Sequence, residues 1–224
     1  MPIDLIIVGA GGSSREIAGV VADINHFQDR WNLLGFLDDD PSKMGSVVDG
    51  LPVLGTIESA TQYPQASFVV GVASYKDPST RKKIVEKLRL PFERFATIVH
   101  PSASISAYAS IGYGTVVLQG AVITSATIVG NHVLISQGAM LGHDVSVADY
   151  VTIAPRAVIS GGVIIEQSGY IGANAVIAPG VMVGVESLVG IGATVIGNVS
   201  PGSTVFGNPA RAINSGGDLR RWTR

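Results

Sequence analysis

A chain of 224 residues, 46% of them hydrophobic, is long enough for one large domain or two small ones with a substantial core. Its net charge of -2 gives no electrostatic reason to expect nucleic acid or an anionic membrane as a partner, and the lack of cysteine excludes disulfides, thiolate metal sites and a cysteine nucleophile. No apolar run approaches the roughly 20 residues that span a bilayer. The start MPIDLIIVGAGG has neither the basic region nor the cleavage site of a signal peptide, and its first apolar run reads as a strand; the lack of cysteine fits the cytoplasm, the expected compartment.

Residues 1 to 90 or so alternate strand and helix signals. The continuous apolar run LIIVG (5–9) reads as a strand buried on both faces of a parallel sheet. SSREIAGVVADI (13–24) places Ile17, Val20, Val21 and Ile24 at helical spacing, with Ser13 or Ser14 as its N-cap. LLGFLD is a second strand, Asp38 to Gly55 is rich in glycine and proline, SFVVGVA is a further strand, and DPSTRKKIVEKL is a helix opened by Asp77 and Pro78. The pattern predicts a small Rossmann-like α/β domain. VGAGGSSRE only partly matches the dinucleotide fingerprint, because Ser14 stands where the third glycine belongs, so NAD is not expected. A glycine turn feeding a helix N-terminus still offers N–H groups to a phosphate. Asp38, Asp39 and Asp40, after the second strand, read either as ligands for a ribose or sugar hydroxyl or as solvated turn carboxylates.

From Val99 to Ser200 seventeen consecutive hexads open with Val, Ile or Leu, without an insertion. That stretch holds five charged residues, Asp144, Asp149, Arg156, Glu166 and Glu186, and no lysine. A fixed short period with one aliphatic residue per repeat predicts a solenoid: three hexads close a coil of 18 residues, and the opening aliphatics stack along the axis of a triangular prism. The small residues between them suit tight corners.

Residues 18 apart then lie above one another, which puts His143-Asp144, in GAMLGHDVSV, between Ser125-Ala126 and Gly161-Gly162. His143 is third in its hexad, away from the axis position of Leu141. An off-axis histidine beside small residues suits a general base, a role worth on the order of 10² to 10⁴ in rate. Asp144 would stabilise the imidazolium, and N–H groups near Gly161 would face a developing oxyanion. The plain alternative is a surface pair without a role. His132 is the competing histidine; His26 ends a helix and His100 precedes Pro101. No cluster of His, Asp and Glu has metal-ligand spacing, so no metal is expected.

The hexads resemble those of the hexapeptide-repeat acyltransferases, whose prisms are left-handed parallel β-helices. With GAGGSSRE, FLDD and VVGVAS ahead of them, GHD within them and GNPAR at their close, residues 1 to 213 resemble the sugar O-/N-acyltransferases: nucleotide-sugar N-acetyltransferases and sialic acid O-acetyltransferases of bacterial glycan synthesis. The resemblance implies a sugar-nucleotide-binding domain at 1–92, a β-helix acetyltransferase domain at 93–213 and a flexible tail at 214–224. It implies a homotrimer, with acetyl-CoA lying between subunits as co-substrate. It puts the base on His143 and its partner on Asp144. Sugar-nucleotide contacts fall on Gly11, Gly12, Ser13, Asp38, Asp39, Gly71 and Ala73, and acetyl-CoA contacts near Thr152, Gly161, Gly162, Ala173 and Ile191. Thr152 stands where some relatives carry a second histidine. Arg211 is the candidate for a CoA phosphate, or else caps the last coil. The expected reaction is N-acetylation of a nucleotide-linked 4-amino-dideoxy sugar by direct attack in a ternary complex. The alternatives are sugar O-acetylation and a non-catalytic sugar-nucleotide-binding scaffold.

Overall fold

The computed structural model describes residues 1–213; the expected tail at 214–224 lies outside them. The N-terminal sheet has the order β3-β4-β2-β1-β5. Its strands are β1 (Ile3–Val8), β2 (Trp31–Leu37), β3 (Val47–Val48), β4 (Leu51–Gly55) and β5 (Ser67–Val70), with helices α1 (Gly12–Phe27) and α2 (Thr80–Leu88). All pairings in this sheet are parallel except the short hairpin β3–β4, which occupies the glycine- and proline-rich segment. Leu5, Ile6, Ile7 and Val8 are fully buried, as a strand covered on both faces requires.

Two local expectations are corrected. Neither Ser13 nor Ser14 caps α1: the helix starts at Gly12 with Gly11 in the cap position and no side-chain cap. Ser14 is instead a buried first-turn residue at the point where the loops after β1 and β5 converge, and a β-carbon on Gly71 would collide with it. The last helix begins at Thr80, because Asp77 accepts hydrogen bonds from the amide and hydroxyl of Ser79 and so holds a turn ahead of it.

From Ile98 the chain winds as a parallel β-helix of two-residue strands on three faces. The register is 18 residues throughout its body, with Val122, Met140, Val158 and Val176 pairing in succession on one face. The opening residues of the hexads from Val117 to Val195 are at most 3% exposed and form one core column. The fifth position also points inward, filled by small or branched residues such as Ala121, Val133, Ala139 and Val145. The fourth residue of every hexad from Ile111 through Val189 is left-handed, with φ between +54° and +70°. Each corner is thus the same turn, and glycine occupies many of them because that conformation costs it nothing.

The seventeenth hexad departs from the frame. Val199 bridges to Val183 and Thr204 pairs with Leu188, a spacing of 16, and the Asn198 side chain accepts the Met182 N–H in the interrupted ladder. The chain then turns back as the antiparallel pair Thr204–Phe206 and Arg211–Ile213.

One face of the prism is covered by the N-terminal domain. Its outward residues Ile98, Val116 and Leu134 join Ile17, Val21 and Ile24 of α1 in a single buried cluster. Outward residues on the other two faces include the exposed Ile128, Ile164 and Met182 on one and Met140 and Val176 on the next. Among the described residues no helix is long and apolar enough to cross a membrane.

Candidate active site

His143 and Asp144 form the corner between these two uncovered faces. The coil ladder aligns this corner with its neighbours: Asp144 N–H donates to the Ser125 carbonyl at 3.1 Å, and Gly162 N–H donates to the His143 carbonyl at 2.9 Å. Asp144 takes the left-handed corner conformation at φ +57°. Its carboxylate Oδ2 lies 2.7 Å from His143 Nδ1, with the two side chains 72% and 67% exposed. A proton held on Nδ1 by that carboxylate leaves Nε2 with its lone pair outward, the tautomer a general base needs.

The ring lies over Gly161: a β-carbon there would stand 2.6 Å from His143 Nε2 and 2.7 Å from Cε1. Gly161 is therefore the floor on which the imidazole rests, which its sequence position beside the pair only hinted at. The two glycines differ in a further way. The Gly162 N–H is spent on the His143 carbonyl, whereas that of Gly161 donates no hydrogen bond among the described residues.

The other expected acetyl-CoA residues do not share this corner in the single chain. Ala173 and Ile191 stand on the preceding corner column, at the far edge of the face that carries Met140 and Val176. Thr152 is buried on the face covered by the N-terminal domain, where its hydroxyl accepts a 3.0 Å hydrogen bond from Arg81. Arg211 is exposed and bonds the carbonyl of its own neighbour Ala210. It lines a groove of about 270 Å³ with Gly197, Asn198 and Ser200, at the top of the column that holds His143.

In the N-terminal domain, Gly11, Gly12 and Ser13 form the uncapped start of α1, and a β-carbon on either glycine would meet nothing within 4 Å. First-turn N–H groups that no side chain caps are an anion site in waiting. Gly71 and Ala73 follow β5 on the other side of this loop. Asp38 and Asp39 are already engaged inside the protein. Asp38 accepts from the Ala10 and Asp40 amides and from Lys43 Nζ at 2.8 Å. Its burial raises the pKa, but those donors outweigh burial and hold the carboxyl below its usual range. Asp39 takes the Ile57 amide and Lys87 Nζ at 2.9 Å, and its carboxyl is likewise held low against burial. Both carboxylates brace the protein itself, Asp38 the glycine loop and Asp39 α2, and the Asp39 side chain stays partly exposed.

His132, the competing histidine, is fully buried, stacked on Tyr150 with ring centroids 5.5 Å apart and edge-on to Phe95. Neither ring nitrogen has a hydrogen-bond partner among the described residues, and burial, then the Arg81 charge, push its pKa down to about 4. It is a core residue.

Comparison with known proteins meets this geometry in chain order. The family described as PglD N-terminal domain matches residues 4–88, and that described as bacterial transferase hexapeptide (six repeats) matches residues 126–161, a span that includes His143. Both parts of the chain are thus similar to hexapeptide-repeat sugar acyltransferases. No curated protein matches it in sequence. Among solved structures, this acyltransferase is similar to the acetyltransferase domain of PglB from Neisseria gonorrhoeae in complex with acetyl coenzyme A. That match has 29% identity and a TM-score of 0.83, over 95% of this chain and 100% of the other. WeeI from Acinetobacter baumannii matches with 26% identity and a TM-score of 0.81, over 94% of this chain and 100% of its own. The perosamine N-acetyltransferase from Caulobacter crescentus, solved with CoA and GDP-perosamine, shares the fold at 23% identity and a TM-score of 0.83, over 95% and 97% of the two chains. The fold of the acyltransferase is accordingly a small α/β domain followed by a left-handed parallel β-helix.

Proposed function

We propose that this acyltransferase moves the acetyl group of acetyl-CoA onto the amino group of a nucleotide-linked 4-amino-dideoxy sugar, in the cytoplasm and for glycan synthesis. The observation that carries the reading is the His143 ring, held through Nδ1 by Asp144 and laid over Gly161 with Nε2 open. The relatives bound to acetyl coenzyme A and to GDP-perosamine support the substrate classes.

In this mechanism the sugar amine attacks the thioester carbonyl carbon while His143 Nε2 takes its proton. The Gly161 N–H meets the oxygen as negative charge develops on it, and the CoA thiolate leaves and takes up the proton from the imidazolium. Asp144 stabilises the imidazolium between those two transfers. No covalent acyl-enzyme is needed. The uncapped start of α1 receives the diphosphate, Gly71 and Ala73 border the nucleotide, and Arg211 receives a CoA phosphate at the top of the corner column. Ala173 and Ile191 reach CoA from the neighbouring corner column of a second copy of the chain, whereas Thr152 lies buried beneath the N-terminal domain.

Apolar surface supports a trimer. Ile128, Ile164 and Met182 on one side of the His143 corner, and Met140 and Val176 on the other, are exposed in the single chain and are the residues that packing copies would cover. The testing experiment is a mass-spectrometric screen of UDP-, GDP- and dTDP-linked amino sugars with acetyl-CoA. An N-acetyl product from one of them meets the proposal. Transfer only to hydroxyl-bearing sugars makes the protein an O-acetyltransferase, and no transfer with intact sugar-nucleotide binding makes it a scaffold.

A further inference from the structure

Arg81, the second residue of α2, is 3% exposed, a cation with an unusual set of partners. All five of its hydrogen bonds go to neutral oxygens. Nε donates to the Val72 carbonyl at 3.0 Å. One terminal nitrogen donates to the carbonyls of His132 and Val151 at 3.1 Å and of Tyr150 at 3.4 Å, and the other to Thr152 Oγ1 at 3.0 Å. Burial pushes its pKa down to about 10, which leaves it charged at neutral pH. Burying a charge among neutral dipoles is costly, and an apolar side chain of the same length would fill the space without that cost. What the guanidinium adds is a fixed fork of donors that reaches several backbone segments at once.

Those segments are not arbitrary. His132 and the run Tyr150 to Thr152 are the two ends of one coil, which passes under the N-terminal domain, around the prism and back, with His143 near its middle. Val72 lies between Gly71 and Ala73, in the loop that the acceptor reading gives to the sugar nucleotide. One side chain therefore grips both ends of the coil that carries the base and the loop that borders the acceptor. Lys82, the next residue of α2, adds a 3.1 Å bond to Gln167 one coil further on.

We propose that Arg81 is a positioning residue that fixes the separation between the acceptor loop and the His143 coil, so that the amine of a bound sugar nucleotide meets Nε2. It touches neither substrate and acts through Val72 and through the coil ends. The proposal rests on the acceptor reading above. Near-attack geometry is sensitive to shifts on the order of 1 Å. Losing the clamp is therefore expected to reduce turnover while each subsite keeps its ligand.

The test uses full-length Arg81→Met, which keeps the length and removes the donors, and Arg81→Lys, which keeps the charge and cannot reach all of the oxygens. For each, kcat, KM for acetyl-CoA, affinity for the bare nucleotide and amide hydrogen exchange over residues 71–79 are measured against wild type. The clamp predicts a kcat reduced at least tenfold, acetyl-CoA KM and nucleotide affinity within threefold, and faster exchange in that loop. Three results overturn it: an unchanged kcat, a loss in which both affinities fall in step with kcat, or neither variant accumulating as folded protein, which makes Arg81 a fold brace only. If wild type itself transfers to no sugar nucleotide, the acceptor reading fails. The exchange data alone then judge whether Arg81 holds the loop.

Discussion

The substitution Gly161→Ala isolates what the floor beneath His143 does. An alanine β-carbon would lie 2.6 Å from Nε2, against an ordinary contact of 3.4 to 4 Å, so the ring must retreat by about 1 Å or rotate off the corner. The Gly161 backbone is not left-handed, so alanine is not strained there, and the displaced ring moves into solvent. Misplacement of a reacting group by 1 Å costs on the order of 10² in rate, which is about 3 kcal/mol of barrier. The backbone N–H is kept, so oxyanion contact is retained and the loss reports the position of the base. Steady-state kinetics with acetyl-CoA and the cognate sugar nucleotide should show kcat down roughly a hundredfold. Melting temperature should be nearly unchanged. A kcat within threefold of wild type would refute the claim that the imidazole must rest on Gly161.

Asp144→Asn keeps the shape of the corner but removes the charge that stabilises the imidazolium, and kcat should fall by roughly ten- to a hundredfold, inside the range of a general-base contribution; an unchanged kcat would leave Asp144 a corner residue only. The buried His132 makes the fold acid-sensitive. Its folded pKa of about 4 is below the ordinary 6.5, so its contribution is present above 6.5 and is lost as pH falls toward 4, to a total of about 3 kcal/mol. Denaturant melts at pH 7 and pH 4.5 should show a smaller acid loss in His132→Phe than in wild type, and equal losses would discount the ring. Ile153→Ala opens a cavity on the prism axis, where Ile153 is fully buried, and should cost about 2–5 kcal/mol by chemical denaturation at fixed protein concentration. A cost below 1 kcal/mol would mean that the coils collapse onto the gap.

The prism was the most legible part of the molecule, because its period is a steric requirement repeated in each coil: one axial aliphatic and one tight corner. That arithmetic put His143 off the axis and Gly161 next to it one coil on, both as found. It failed at the seventeenth hexad, where the opening Val195 fits the pattern but Asn198 takes over a ladder bond, and a side chain that substitutes for backbone leaves no trace in hydropathy. In the α/β domain, strand and helix signals were local and readable. The partners of Asp38, Asp39 and Arg81 were not, since they range from 2 to 71 positions away, with no periodicity to link them. Arg81 reads in sequence as one more surface cation in RKKIVEKL; only the seating of α2 against the coil reveals it as buried. Ser14 was equally misleading, because a serine at a helix start reads as a cap, while the close approach of Gly71 fixes its depth.

The central claim is that His143 is the base for acetyl transfer to a sugar-linked amine. Its most direct test is a comparison of wild type and His143→Ala in transfer from acetyl-CoA to the sugar nucleotide that the screen selects, read by mass spectrometry alongside acetyl-CoA binding. The account predicts an N-acetylated sugar nucleotide from wild type, and from the variant a turnover lower by roughly 10² or more with acetyl-CoA binding retained. Turnover by the variant equal to wild type would contradict it.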